Sequence, residues 1–273
     1  MFNNRSITSD PLLEHFVSPH LQFIYKTEPV TSTHDEMRTL LLNREEHTCV
    51  ALVATTQTTG RGTQGRVWKA ASGNLYLTVA LPHVPVPLTL LPLQVGMVVA
   101  ERVQALLKAC SSTAKVTVKW PNDVLIEDAK VSGCLIEHFT NERNLSWFLV
   151  GIGVNVAETP PLQDLPGFHK RAPTSLHEWC PEASSDMASV LGLEIANALA
   201  DWIMEEKNDG QPIVEEWRKW AEFGKSYELR GSVVDEEGHE GEVVVTVDIE
   251  ADGQLRVRDR QGRERLLVAD YLV

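Results

Sequence analysis

Two stretches of this chain carry more chemistry than packing requires. Thr59-Gly60-Arg61-Gly62-Thr63-Gln64-Gly65-Arg66-Val67-Trp68 sets two arginines in a glycine-rich loop. Glycine lets the backbone turn left-handed and approach a ligand closely, and arginine forks match phosphate or carboxylate oxygens. The second stretch, Lys119-Trp120-Pro121-Asn122-Asp123, places a lysine, an amide and a carboxylate around a Trp-Pro pair. Proline cannot continue a central strand, so the chain turns there and presents Asn122 and Asp123 at a strand end. Lys130 follows in Lys130-Val131-Ser132-Gly133, and Gly151-Ile152-Gly153-Val154-Asn155 puts two glycines on one face of a strand with an amide at its end. Together they describe a site for an anionic, nucleotide-like group with a carboxylate nearby.

Each string also has a plainer reading. The glycine loop serves equally as a solvated turn, and Pro-Asn-Asp is good turn chemistry. Neither explains Lys119 and Trp120. Lys130 at a strand mouth fits solvent as well as an anion, Gly133 fits a β-bulge, and Gly151 with Gly153 fits tight strand packing. The order and density of the strings favour a site.

The elements that must position these residues follow from periodicity. Leu21–Lys26 alternates as a strand, and Thr33 with Glu36 has capping-box spacing before Met37, Leu40 and Leu41. Cys49–Thr55 and Asn74–Leu81 read as strands, Pro82–Pro92 as a proline-broken connection, and Val95, Val99, Val103, Leu106 and Cys110 as an amphipathic helix. Four strands follow at Val116–Trp120, Val124–Ile126, Val131–Phe139 and Trp147–Val156, then a long polar loop from Glu158 to Pro173. Met187–Ile203 and Ile213–Phe223 have helical spacing. Beyond Gly224, short β-rich runs separated by glycine turns predict a small barrel that leans on the first domain.

With 273 residues, 43% of them hydrophobic and 23% charged, the chain can bury a large core beside a small second unit. A net charge of −13 repels phosphate backbones, which argues against nucleic acid as a partner. No apolar run reaches the roughly 18 residues of a membrane span, and the first residues lack a signal core, with Asp10 and Glu14 opposing an organelle presequence. The expected setting is cytoplasmic, with a mitochondrion or other organelle as the alternative. Cys49, Cys110, Cys134 and Cys180 form no CxxC pair, so four reduced thiols are expected, with neither disulfide nor metal site.

From about Phe23 onward, the chain resembles the biotin protein ligase family. The resemblance rests on a Ser32-Thr33 helix start, the glycine-arginine loop, Lys119–Asp123, Lys130-x-x-Gly133, Gly151-x-Gly153-x-Asn155, and Ala172-Pro173-Thr174-Ser175-Leu176. It implies an α/β (α+β) catalytic domain of the class II synthetase-like kind, a mixed sheet with flanking helices, and an SH3-like C-terminal β-barrel. The boundaries would be a 1–20 extension, a 21–224 catalytic domain and a 225–273 barrel.

The implied reaction joins biotin to ATP, with Mg2+, as biotinyl-5′-AMP, then transfers biotin to a lysine on the carrier domain of a carboxylase such as acetyl-CoA carboxylase. Ser32, Thr33 and Gln57 would hydrogen-bond the ureido ring, and Gly60, Arg61 and Gly62 belong to the closing loop. Lys130 would hold the carboxylate and phosphate, Asp123 would orient the incoming amine, Lys119 and Arg66 would serve the phosphates, and Asn155 would sit near the nucleotide. Trp68, Asn122, Gly133 and Gly153 complete the expected binding set.

The chain departs from the family at two places: His34 stands where asparagine is frequent, and Thr63 where many members have arginine. The first alters one ureido contact, and the second predicts weaker adenylate retention. Too few residues precede Phe23 for the winged helix of repressor members, so a ligase without DNA binding is expected, as monomer or homodimer. The rival readings are a lipoate or octanoate ligase of the same fold and a non-catalytic biotin-binding regulator.

Overall fold

The computed structural model describes residues 17–62, 67–68, 71–161, 172–207, 209–229 and 243–268. Among these, strands β1 (Leu21–Lys26), β2 (Cys49–Ala54), β5 (Leu75–Leu81), β6 (Val116–Lys119), β7 (Asp123–Ile126), β8 (Ala129–Thr140) and β9 (Ser146–Val154) form one sheet in the order β1-β2-β5-β9-β8-β7-β6. β1 and β2 are parallel and every other pair is antiparallel, so the sheet is mixed. β3 (Gly60–Arg61) and β4 (Val67–Trp68) make a separate two-stranded ribbon. Helices α1 (Thr33–Leu41), α2 (Leu91–Ala109), α3 (Ser185–Trp202) and α4 (Gln211–Trp220) flank the sheet.

Period-two alternation sorts the sheet's side chains into two faces. One face carries Ala51, Val53, Leu75, Leu77, Val79, Val150, Ile152 and Val154, buried together with α2, α3 and α4 in the main core. The other carries Val50, Leu52, Ala80, Trp147 and Leu149, which bury Met37 and Leu41 of α1 in a smaller cluster. α1 covers only part of this second face. The remainder, over β9, β8 and β7, carries the site.

The strands arise where alternation predicts them, within a residue or two at most ends. Three differences have local causes. Ser32, not Thr33, is the N-cap of α1, its hydroxyl accepting from His34 N at 3.2 Å. The proline-broken connection is partly helical: α2 begins at Leu91, with Pro92 in its first turn where a missing N–H costs nothing. The stretch Leu88–Ala109 is, contrary to expectation, long and apolar enough to cross a membrane by length and composition, but 67% of its apolar 18-residue window is buried inside the fold. It serves as a core helix.

The cysteine reading is corrected as well. Cys110, at the C-cap of α2, is disulfide-bonded to Cys180, whereas Cys49 and Cys134 are free. Seventy residues separate the pair, and packing of the end of α2 near the turn before α3 brings their Cα atoms to 5.6 Å. Spacing along the chain holds no trace of that meeting.

After α4, β10 (Ser226–Glu228), β11 (Val243–Ile249), β12 (Leu255–Arg258) and β13 (Glu264–Leu267) form an antiparallel four-stranded sheet. Its small core of Val244, Leu255 and Val257 borrows Trp120 and Phe223. Trp120 Nε1 donates to Gly253 O at 2.9 Å, and Lys225 reaches Asp128 at 2.8 Å, so this sheet leans on the first as its size requires.

Candidate functional site

Along β9 the positions on the uncovered face run Trp147, Leu149, Gly151, Gly153, shrinking to no side chain at all. Gly153 pairs directly with Gly133 of β8. These three glycines form a floor on which larger groups lie. A Cβ at Gly151 would fall 2.4 Å from His34 Cε1, one at Gly153 2.6 Å from Trp68 Cε2, and one at Gly133 2.9 Å from Lys130 Nζ.

Lys130 reaches this face through an irregularity. Val124 and Leu125 of β7 pair with Ser132 and Lys130, so Val131 is an extra residue in β8. Regular alternation would put Val131 beside Gly133 and turn Lys130 to the core. The bulge reverses this: Val131 is fully buried in the main core, and Lys130 lies over Gly133. Lys130 Nζ donates to Asp123 Oδ1 at 2.6 Å, and Lys119 Nζ stands 3.8 Å from Asp123 Oδ2. The ammonium also faces the Trp68 ring at 5.7 Å. The backbone of Lys130 is clamped by Ala172 O and Thr174 N, at 2.9 and 3.0 Å.

Two buried amides border this end. Asn155 Nδ2 donates to Thr174 O at 2.9 Å, while its Oδ1 has no partner among the described residues. Asn122 packs against α2 where Gly96 leaves space, its Cα only 3.0 Å from the position of a Cβ there, and its side-chain amide meets only the weak acceptor of the Cys134 thiol. Buried polar atoms of this kind cost about 1–3 kcal/mol unless something satisfies them. They are suited to a polar ligand.

The opposite end is a knot of short hydrogen-bonding side chains. Thr33 N donates to Gln57 Oε1 at 3.2 Å, Thr78 Oγ1 donates to Thr33 Oγ1 at 2.9 Å, and His34 Nδ1 shares a bond with Thr78 Oγ1 at 3.1 Å. Burial pushes the His34 pKa down to about 4, more than nearby Glu137 can raise it, and Arg61 and Arg38 lower it further. Neutral pH therefore leaves the ring uncharged. Burial also opposes ionisation of Glu137, but the Arg38 hydrogen bond, with His34 and Arg61, prevails and holds it below the usual carboxylate range. Burial raises both free thiols, Cys49 to about 12, which makes them poor nucleophiles.

A polar corner, a glycine floor and a lysine–aspartate pair under an arginine-bearing hairpin would suit a slim ligand with a carboxylate tail. Residues 27–155 match the model of the biotin/lipoate A/B protein ligase family. The chain is 30% identical over 228 residues to the biotin--[acetyl-CoA-carboxylase] ligase of Paracoccus denitrificans, a match spanning 80% of this chain and 88% of that one. The chain belongs to the biotin protein ligase family.

The bifunctional ligase/repressor of Bacillus subtilis is 34% identical over 149 residues, covering 44% of its own length. Among solved structures, the biotin protein ligase of Leishmania major in complex with biotin superposes with a TM-score of 0.63 at 26% identity, covering 93% of this chain and all of that one (100%). The ligase of Aquifex aeolicus in complex with biotin and ATP gives 0.66 at 22% identity over 91% and 96% of the two chains, a likeness of fold.

Of the residues expected for a biotin protein ligase site, the structure gathers Ser32, Thr33, His34 and Gln57 at the polar corner. Lys119, Asn122, Asp123, Lys130, Gly133, Gly153 and Asn155 lie at the lysine end, and Trp68 lies between the two groups. Gly60 faces Gln57 Nε2, and Arg61 reaches α1. Gly62 follows directly at the end of β3. Thr63 and Arg66 lie outside the described residues.

Sequence reading missed several supports. Thr78 is the polar residue within an otherwise apolar β5 that links Thr33 to His34, and that break in an apolar run was its one signal. Asn74 Oδ1 accepts from the backbone N–H groups of Val156, Ala157 and Glu158, at 2.9, 3.0 and 3.0 Å, fixing the exit of β9 beside Asn155. Gly96, Asp35 and Glu137 gave no sign in the linear pattern.

Proposed function

We propose that the protein is an ATP-dependent biotin protein ligase. It activates biotin as biotinyl-5′-AMP and passes the biotinyl group to a lysine on the carrier domain of a biotin-dependent carboxylase. One observation carries the reading: a strip of sheet stripped of side chains at Gly151, Gly153 and Gly133 joins a hydrogen-bonding corner to the Lys130–Asp123 pair. The names of the ligase relatives point the same way.

In this reading Ser32, Thr33 and Gln57 bind the ureido ring, with His34 beside them. The glycine floor accepts the slim remainder of biotin, which requires His34 and Trp68 to shift from the space they share with it. Lys130 places its ammonium between the biotin carboxylate and the α-phosphate of ATP. A carboxylate oxygen attacks phosphorus, pyrophosphate leaves, and the positive charge stabilises both anions as they meet. Asn155 offers its unpartnered Oδ1 to the nucleotide, with Asn122 beside it. Asp123, the carboxylate nearest Lys130, is already engaged by two lysines, so Mg2+ would be held through the ATP phosphates, whose charge it would neutralise. In the second step the acceptor amine attacks the biotinyl carbonyl and AMP departs. Asp123 accepts the amine's hydrogen and orients it, and Arg61, Arg66 and Lys119 serve the anionic groups.

We assign residues 21–224 to the catalytic domain and 225–273 to an SH3-like barrel of which β10–β13 form part. Biotin-dependent ATP–pyrophosphate exchange tests the assignment, with lipoate and octanoate run in parallel. Exchange with biotin alone is expected. Exchange with lipoate or octanoate alone would move the chain to the other branch of its family, and no exchange with any acid would leave a binding protein.

A further inference from the structure

His34 spans the floor of the site from strand to strand. Its ring lies over Gly151 of β9, where a Cβ would fall 2.6 Å from Nδ1. Gly151 pairs with Thr78 of β5 on one side and with Leu135 of β8 on the other. Nδ1 reaches Thr78 Oγ1 at 3.1 Å, and Nε2 faces Glu137 Oε2 at 3.6 Å. Burial keeps the ring neutral at neutral pH, so it has one hydrogen to place on one of two nitrogens. The hydroxyls decide where. Thr78 has a single hydroxyl hydrogen and donates it to Thr33 Oγ1 at 2.9 Å, so toward His34 it can only accept. Glu137 pulls the other way, favouring a hydrogen on Nε2, but 3.6 Å is too long for that bond. Its Oε2 already accepts from Arg38 Nη2 at 2.9 Å. Nε2 is left as a buried acceptor without a partner among the described residues.

We propose that His34 holds its hydrogen on Nδ1 and so sets the direction of a donor chain running through Thr78 to Thr33, which makes His34 and Thr78 positioning residues for ligand recognition. At the end of the chain Thr33 Oγ1 has accepted the Thr78 hydrogen and keeps its own to donate. The Thr33 backbone N–H is spent on Gln57 Oε1. The polar corner therefore presents a hydroxyl hydrogen and selects a ligand with an acceptor atom there. That selection rests on the ligase reading, in which the acceptor is the ureido oxygen of biotin. The chain survives a shift of the ring off Gly151 as long as Nδ1 stays on Thr78. With the opposite tautomer both bonds reverse: Thr33 spends its hydrogen on Thr78 and offers the ligand lone pairs only. A histidine that merely filled the space above Gly151 would hold a tautomer indifferent to Thr78.

Long-range proton–nitrogen correlation spectra distinguish a ring nitrogen that carries hydrogen from one that does not, and they need no ligand. The chain has nine histidines, and the His34 signals are those missing from His34→Asn or His34→Gln. In the wild type at neutral pH the hydrogen is expected on Nδ1. Thr78→Val keeps the shape and removes the hydroxyl, which moves the hydrogen to Nε2 beside Glu137, whereas Thr78→Ser retains it on Nδ1. Calorimetry then compares biotin with iminobiotin, whose head offers N–H where biotin has the ureido oxygen. The preference for biotin narrows about three- to ten-fold in Thr78→Val, the scale of one neutral hydrogen bond, and Thr78→Ser restores it. A hydrogen on Nε2 in the wild type overturns the proposal, as does a tautomer or a preference that Thr78→Val leaves unchanged. If the wild type binds neither compound, the ligase reading fails while the spectra still decide the chain.

Discussion

His34 should make the fold acid-sensitive in a pH window where carboxylates do not yet titrate. The ring is 3% exposed, packed over Gly151 and hydrogen-bonded to Thr78, and its pKa falls from 6.5 to about 4. The unfolded chain then binds more protons than the folded one between those values, so stability is full above 6.5 and is lost as pH falls toward 4. Integrating the linkage from pH 7.5 to pH 5 gives a loss of about 2 kcal/mol from this group. Glu137 faces the ring, and Arg61, Arg38 and Asp35 surround it. Glu137 is itself held below its usual range, so its own contribution disappears only at more acid pH.

The perturbation is His34→Asn, compared with wild type by urea unfolding at pH 7.5 and pH 5. Titrating groups distant from the ring cancel in that double difference, and Glu137, held below its usual range, remains ionised at both pH values. The variant is less stable at pH 7.5 if asparagine packs less well, but the gap closes by about 2 kcal/mol at pH 5. A gap that stays constant within about 0.5 kcal/mol, on the order of the error of such cycles, would exclude a depressed His34 pKa. The ring would then keep an ordinary pKa, charged against Glu137.

Gly153→Ala places a methyl group 2.6 Å from the Trp68 indole, so the ring must leave the floor; a shifted tryptophan emission and loss of biotin binding are expected, and an unchanged spectrum with full binding counts against the floor. Asn74→Ala strands three backbone N–H groups at the exit of β9; it should cost about 1–3 kcal/mol in chemical denaturation. The double variant Cys110→Ser, Cys180→Ser removes a link across 70 residues, worth up to about 4 kcal/mol by loop-closure entropy. Alkylation of the unreduced, unfolded protein should label Cys49 and Cys134 alone, and four labelled cysteines would contradict the bond.

The strands of the main sheet and the helical stretches were legible in the linear pattern, as were most of the residues that the fold gathers around the glycine floor. The reason is local. Alternation and helical spacing follow from which face of an element meets the core, and Lys119–Asp123 combines residue types that a bare turn does not need. Gly151 and Gly153, two apart on one strand, must share a face, so their floor was legible before any fold existed.

The direction of Lys130 depends on strand pairing. Plain alternation sends it to the core beside Ser132, and the extra residue Val131 returns it to the site face. A bulge is a property of two paired strands, so no reading of one strand contains it. The same holds for Asp35 and Glu137 around Arg61, and for Cys110 against Cys180: residues distant in sequence acquire partners only when packing brings their elements together.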